Sequence, residues 1–86
     1  MHEMSLMNDL MNKILAMAKK ESAESVTKVS VWLGALSHMS AGHFKEHFDI
    51  SAKGTIAEHA LIEAEESSDI DSPHAQSILL KSIDVA

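Results

Sequence analysis

The segment VTKVSVWLG, residues 26–34, restricts the fold of this chain more than any other. It is rich in β-branched residues, and its two faces alternate along the segment: Thr27, Val29, Val31 and Leu33 on one, Val26, Lys28, Ser30 and Trp32 on the other. This alternation predicts a β-strand with one mostly polar face. Gly34 is expected to end the strand. Because a strand needs hydrogen-bonding neighbours, the chain must supply further strands and an apolar layer to cover one face of the sheet.

A helix is predicted before this strand, over residues 5–21. Its apolar side chains are three or four positions apart, at Met7, Leu10, Met11, Ile14 and either Met17 or Ala18. Lys19 and Lys20 fall in the last turn, where positive charge complements the helix dipole. The spacing therefore predicts an amphipathic helix that packs against the sheet.

A second helix is predicted after the strand, over residues 41–53, with Ser40 as its N-cap. Its apolar face repeats every fourth residue, at Phe44, Phe48 and Ala52. Gly54 follows directly, where a left-handed backbone can end the helix.

Two more strands are predicted, over residues 60–67 and 77–85, joined by the turn-rich loop SSDIDSPHAQ at residues 67–76. In the last strand the alternation places two sets of side chains on opposite faces: Leu79, Lys81, Ile83 and Val85, against Ile78 and Leu80. The order helix, strand, helix, strand, strand predicts an α+β fold, with two helices packed on a three-stranded mixed β-sheet. If the first two strands are parallel, their connection should be right-handed, and the short loop allows the last two strands to pair antiparallel.

Composition excludes several classes of function. The 86 residues fit a single domain over residues 1–86, whose stability should be modest unless a homodimer forms. With 13 acidic residues against 7 lysines and no arginine, the chain is not expected to bind nucleic acid. Asn8, Asp9 and Lys13 leave no uninterrupted apolar run within residues 1–17, so no signal peptide or membrane span is predicted. The absence of cysteine excludes disulfides and thiolate metal sites and fits a cytoplasmic protein.

The first three residues, Met1, His2 and Glu3, form a candidate metal site. A terminal amine with a reference pKa of about 7.7–8.0 can release its proton to a metal at neutral pH. The amine of Met1, the amide nitrogen of His2 and the His2 imidazole can then bind one ion in fused chelate rings. A planar set of nitrogen donors suits Ni(II) or Cu(II). The amide or carboxylate of Glu3, or a nearby imidazole, can take the fourth position. The simpler interpretation is an ordinary terminal histidine, since a dipeptide is a weak motif.

The other candidate sites have simpler structural explanations. His43 and His47 are one helical turn apart, a metal-ligand spacing, but we expect them to flank the buried phenylalanine face. We interpret the methionines of the first helix as core residues and the acidic run EAEESSDID as a solvated surface. His38, His59 and His74 are expected at the surface, and any one of these histidines could complete the terminal metal site. No nucleophile with a paired base is visible, so we do not expect an enzyme.

Four stretches resemble the HypA family of nickel-incorporation proteins, in order and in spacing: MHEMSL, WLGALSHMS, GHFKEHFD and AKGTIAEHALIEAE. The resemblance implies a nickel-binding metallochaperone for the maturation of a nickel enzyme such as [NiFe]-hydrogenase. It also implies that the metal is held by the N-terminal Met-His-Glu, which corresponds here to Met1, His2 and Glu3. The partners that it implies are a maturation GTPase and the nickel-enzyme precursor.

Members of this family carry a zinc module with two Cys-x-x-Cys pairs before the last strand. This chain has no cysteine, and the short loop at about 67–76 stands in that place. The resemblance therefore implies a single nickel-binding domain without zinc, whose cargo is Ni(II). The alternative is a metal-free interaction module with the same fold, which has lost nickel delivery and docks a partner through the methionines of the first helix or a sheet edge.

Overall fold

The computed structural model describes residues 3–86, with side chains from Ser5 onward, and it confirms the predicted order of elements. The five elements are α1 (Glu3–Lys20), β1 (Val26–Leu33), α2 (Ala41–Ala52), β2 (Leu61–Glu66) and β3 (Ile78–Val85). Each predicted boundary agrees to within two residues. Neither helix in this described part is long and apolar enough to cross a membrane.

The sheet has the strand order β2-β1-β3, so β1 is its central strand. β1 pairs parallel with β2 and antiparallel with β3, which confirms the mixed sheet. The last two strands run in opposite directions but do not pair with each other, because β1 lies between them. This position suits β1, whose Val29, Ser30 and Val31 are buried in succession, whereas the edge strands expose most of their residues.

The core lies between one face of the sheet and the two helices. Its fully buried side chains include Phe44 and Phe48 from α2, Met7 and Ile14 from α1, and Val29, Val31 and Leu33 from β1. In the last turns of α1, Ala18 is fully buried while Met17 is 42% exposed, so Ala18 continues the apolar stripe. The predicted core faces of both helices are therefore confirmed.

Two irregularities in the β1–β3 pairing change which side chains face the core. A register shift between Val26 and Lys28 buries Val26 and leaves Thr27 exposed, the reverse of simple alternation. In β3 a second shift leaves Lys81 as an extra residue, so the side chains that pack on the core are Ile78, Leu80 and Ile83. The alternation that grouped Ile83 with Leu79 was wrong, because an extra residue inverts the face of every position beyond it.

Specific contacts fix both ends of α2. Ser40 Oγ accepts a hydrogen bond from the His43 amide at 3.1 Å, as expected of an N-cap. A carboxylate oxygen of Glu66, at the end of β2, accepts a second from the Ala41 amide at 3.0 Å. After the helix, Gly54 has a φ of 83°, which confirms the left-handed position.

The connection between β2 and β3 is bound to the end of β1 by backbone hydrogen bonds. The amide of Gly34 donates to the carbonyl of Ser77 at 2.9 Å, and that of Leu36 donates to the carbonyl of Ala75 at 2.7 Å. This approach requires a glycine at position 34, because a Cβ there would overlap the Ala75 carbonyl and lie 2.6 Å from that of His74. Gly34 thus ends β1 because another part of the backbone passes directly over it.

Candidate metal site

The predicted metal site lies at the start of α1. Glu3 is the first helical residue, whereas Met1, His2 and the side chain of Glu3 lie outside the described residues. The assignment of Met1, His2 and Glu3 as ligands therefore stays a prediction. The surroundings of the first turn of α1 are described, and they determine which other groups the terminal residues can meet.

The fold brings the N-termini of both helices to the end of the sheet where β1 finishes. α1 and the central strand β1 run in opposite directions, and α2 begins after the short turn at residues 34–40. As a result, the first turn of α1 lies beside this turn: Leu6 of α1, Leu36 and His38 line one open pocket of ≈ 590 Å³. Gln76 and Ser77 of the β2–β3 connection complete its wall.

Histidines are concentrated at this end of the molecule, which we call the histidine end. His38 lies in the turn after β1, His43 in the first turn of α2, and His74 in the β2–β3 connection. His47 follows His43 by one helical turn. His59 lies at the opposite end of the sheet, where it lines a pocket with Glu24, Ser25 and Val26 just before and at the start of β1. The sequence did not reveal this segregation, because it depends on the direction of each strand.

His38 has an unusual backbone conformation. Its φ is 59°, in the left-handed region that few residues other than glycine adopt, although asparagine, aspartate and histidine do so more readily than most. The side chain is exposed, while the next residue, Met39, is buried. The buried Met39 and the Ser40 cap fix the chain on one side of His38, and the hydrogen bonds of Gly34 and Leu36 fix it on the other. Sequence reasoning placed His38 at the surface but had no signal for this conformation.

The imidazoles of His43 and His47 stack on each other. Their ring centroids are 4.5 Å apart and their planes differ by 6°. His43 is exposed and His47 half-buried, while Phe44 and Phe48 are fully buried, which confirms that the histidines flank the buried face. A metal binds an imidazole nitrogen in the plane of the ring, and two nearly parallel planes share no nearby point. The stacked pair therefore cannot chelate one ion in this arrangement.

The other candidate groups of the sequence have structural roles. Met7 and Met11 are buried in the core, as predicted, but the same prediction was wrong for Met17, which is 42% exposed because Ala18 takes the core-facing position. Within the acidic run, Glu63 forms an ion pair with Lys28 at 2.9 Å, and Glu65 forms one with Lys81 at 3.1 Å. The hydrogen bond from Lys28 and the positive charge of Lys28 lower the pKa of Glu63. The same hydrogen bond and the negative charge of Glu63 raise the pKa of Lys28. Among the described side chains, from Ser5 onward, no three histidine, aspartate or glutamate residues are grouped to hold a metal.

Comparison with known protein families identifies relatives over most of the chain. The family described as hydrogenase/urease nickel incorporation, metallochaperone, hypA matches residues 1–70. The hydrogenase maturation factor HypA of Caldanaerobacter subterraneus is 37% identical over 60 residues, which are 70% of this chain and 53% of the relative. That of Archaeoglobus fulgidus is 37% identical over 63 residues, 73% of this chain and 57% of the relative. The chain thus spans about half the length of these curated relatives.

Solved structures show the same fold. The solution structure of the Ni metallochaperone HypA from Helicobacter pylori superposes with a TM-score of 0.78 at 18% sequence identity, covering 99% of this chain and 97% of that one. A further structure, described as the solution structure of HypA protein, gives a TM-score of 0.76 at 18% identity. At this level of identity the superposition establishes the arrangement of two helices on a mixed sheet.

Proposed function

Since the chain belongs to the HypA family of nickel-incorporation proteins, we propose that it is a nickel metallochaperone for the maturation of a nickel enzyme. The observation that carries this proposal is the extent of the family match, which begins at residue 1 and so includes Met1, His2 and Glu3. The proposed role is capture and delivery of Ni(II), without a catalytic step.

The terminal residues supply the donors for this role. The Met1 amine, the His2 amide nitrogen and the His2 imidazole bind one Ni(II) in a plane, and Glu3 closes or supports the site. Each nitrogen must be free of its competing proton, so binding should weaken below about pH 6, near the reference pKa of imidazole at about 6.5. Cu(II) should bind such a planar nitrogen site at least as tightly. Selectivity for nickel then depends on metal supply and on partners.

We propose that residues 1–86 form one nickel-binding domain, in which the connection at about 67–76 stands in the place of a zinc module. Among the described residues this connection is short and bound to the end of β1. The proposed partners are a maturation GTPase and a nickel-enzyme precursor. We expect one nickel ion per chain, whether or not two chains pair as a homodimer.

Nickel titration of the untagged protein tests this function. We compare the unaltered chain, His2→Ala, a variant with residues added before Met1, and His59→Ala as a control at the opposite end. The expected result is one Ni(II) per chain with the absorption band of planar nickel, retained in His59→Ala and lost in the other two variants. If all four proteins bind equally, the metal is held elsewhere. If none binds, the chain is a metal-free interaction module.

A further inference from the structure

The β2–β3 connection carries an apolar side chain that lies largely in solvent. Ile70 of this connection is 63% exposed, and Leu36 of the turn after β1 is 40% exposed. The two side chains line one open pocket of ≈ 320 Å³ together with the exposed Pro73. We call Leu36, Ile70 and Pro73 the connection patch. Single exposed apolar residues are common, but several that share one surface are typical of an interaction site.

The backbone holds the connection patch in place before any partner binds. The amide of Asp71 donates to Asp69 Oδ1 at 3.0 Å, which closes a turn around Ile70. On the other side of the patch, the amide of Leu36 donates to the carbonyl of Ala75 at 2.7 Å. Because these segments are already ordered, binding would cost little conformational entropy of the backbone.

Negative charge borders the connection patch. Between Lys53 and Lys81 the sequence has no lysine or arginine, but it has six acidic residues: Glu58, Glu63, Glu65, Glu66, Asp69 and Asp71. The three glutamates of β2 are used within the fold, two in ion pairs with lysines and the third in the bond to the Ala41 amide. Asp69 and Asp71 stand on either side of Ile70 and form no ion pair with any described residue. The chain therefore leaves these two charges available to a partner.

A second apolar surface, between α1 and β3, differs in its charges. Met17 and Val85 are both partly exposed and line one pocket there. Lys20 and Glu21 line the same pocket, so charges of both signs border it. Such a surface favours no particular charge on a partner, whereas the connection patch favours a positive one.

We propose that the connection patch docks a partner protein that presents an apolar socket bordered by lysine or arginine side chains. Ile70 enters the socket, and the carboxylates of Asp69 and Asp71 pair with the cationic border. The contact is distinct from the methionines of α1 and from the sheet edges. It goes beyond the proposed nickel binding, because no metal takes part in it.

Selection of random peptides displayed on phage, against the immobilised protein in buffer with a chelator, supplies a defined probe. The selected peptides should place an aliphatic or aromatic residue between lysines and arginines. A synthetic peptide of the selected sequence, titrated into the ¹⁵N-labelled protein, should shift the amide resonances of residue 36 and residues 69–72 most.

Variants of the patch then test the contact with this peptide. Ile70→Ser should raise the peptide dissociation constant by about tenfold or more, because it removes the central apolar anchor. The double variant Asp69→Asn with Asp71→Asn should raise it by about threefold at low salt and by less with added salt, since salt screens surface charges. Ile50→Ser, at a 70% exposed position on α2, is the matched control and should bind like the unaltered protein. Circular dichroism should be unchanged in all of these variants.

Several results would overturn the assignment. These are a selection that yields no peptide rich in lysine and arginine, resonance shifts centred on Met17 and Val85, and equal peptide binding by Ile70→Ser and the unaltered protein. A dimer seen by sedimentation and abolished by Ile70→Ser would identify a second copy of the chain as the occupant instead. Failure of the proposed nickel function is distinguishable, because it appears in the nickel titration and leaves peptide binding in chelator unchanged.

Discussion

The two ends of the sheet are built alike in the backbone but differ in their side chains. At the opposite end, the amide of Glu24 donates to the carbonyl of Ala86, and that of Val26 donates to the carbonyl of Ile56, both at 2.9 Å. At the histidine end, the β2–β3 connection binds the turn after β1 in a similar way. Among residues 3–86, only the histidine end combines the start of α1 with imidazoles from a turn, a helix and a connection. Backbone hydrogen bonds therefore close both ends of the sheet, whereas four of the histidines gather at one end.

The largest change in stability is expected from Gly34→Ala, at the histidine end. The new Cβ would overlap the Ala75 carbonyl and separate the β2–β3 connection from the end of β1. We expect the free energy of unfolding to fall by about 3 kcal/mol, the upper part of the range for overpacked sites. Urea unfolding followed by circular dichroism measures this change.

Gly42→Ala is the matched control for this substitution. A Cβ at position 42, in the first turn of α2, meets no atom within 4 Å. Replacing glycine by alanine in a helix should stabilise the protein by up to about 1 kcal/mol. If both substitutions have the same effect, the contact between Gly34 and the connection does not hold the histidine end together.

Nickel binding should change stability less than Gly34→Ala does, and it should slow hydrogen exchange mainly at the histidine end. A ligand at 100 times its dissociation constant stabilises the folded state by about 2.7 kcal/mol. Hydrogen exchange should slow at the amides of residues 36–40 when nickel is added, because Leu36 and His38 line one pocket with Leu6, in the first turn of α1 next to the proposed metal site. The amides of residues 56–59, at the opposite end, should show only the change that follows from global stability. Equal slowing at both ends would mean that nickel does not bind at the histidine end in particular.

The sequence predicted the parts of this molecule that depend on local pattern. The stripe that contains Phe44 and Phe48, the Ser40 cap and the left-handed Gly54 can each be recognised from neighbours a few residues away. The register shifts at Thr27 and Lys81 could not, because an extra residue in a strand shows only against its partner strand. The metal ligands Met1, His2 and Glu3 came from chemistry and family resemblance and stay a prediction.

The reason for Gly34 also lay beyond local pattern. The sequence indicated that this glycine ends β1, but the backbone that excludes a side chain there is Ala75, which is distant along the chain. In the same way, His38 can adopt a left-handed backbone as a residue type, yet nothing in the sequence requires it. The gathering of histidines at one end depends on the strand order β2-β1-β3 and on the direction of both helices. Such features follow from tertiary structure, which residue spacing does not report.

The smallest change in stability is expected from removing the ion pair between Lys28 and Glu63, which lies on the sheet face turned away from the core. Lys28 lowers the pKa of Glu63, so the stabilisation from this pair should be complete above the ordinary glutamate pKa and lost as the pH falls through the lower folded value. For Lys28, whose pKa is raised, the contribution is present at neutral pH and is lost only in strong base. Both side chains are substantially exposed, at 37% and 66%, so solvent screens the attraction and its contribution is small.

Glu63→Gln should therefore lower the unfolding midpoint slightly at neutral pH and not at all in acid, while Glu46→Gln on α2 serves as the exposed control. A large loss at neutral pH would show that this face of the sheet contributes more to stability than its exposure indicates.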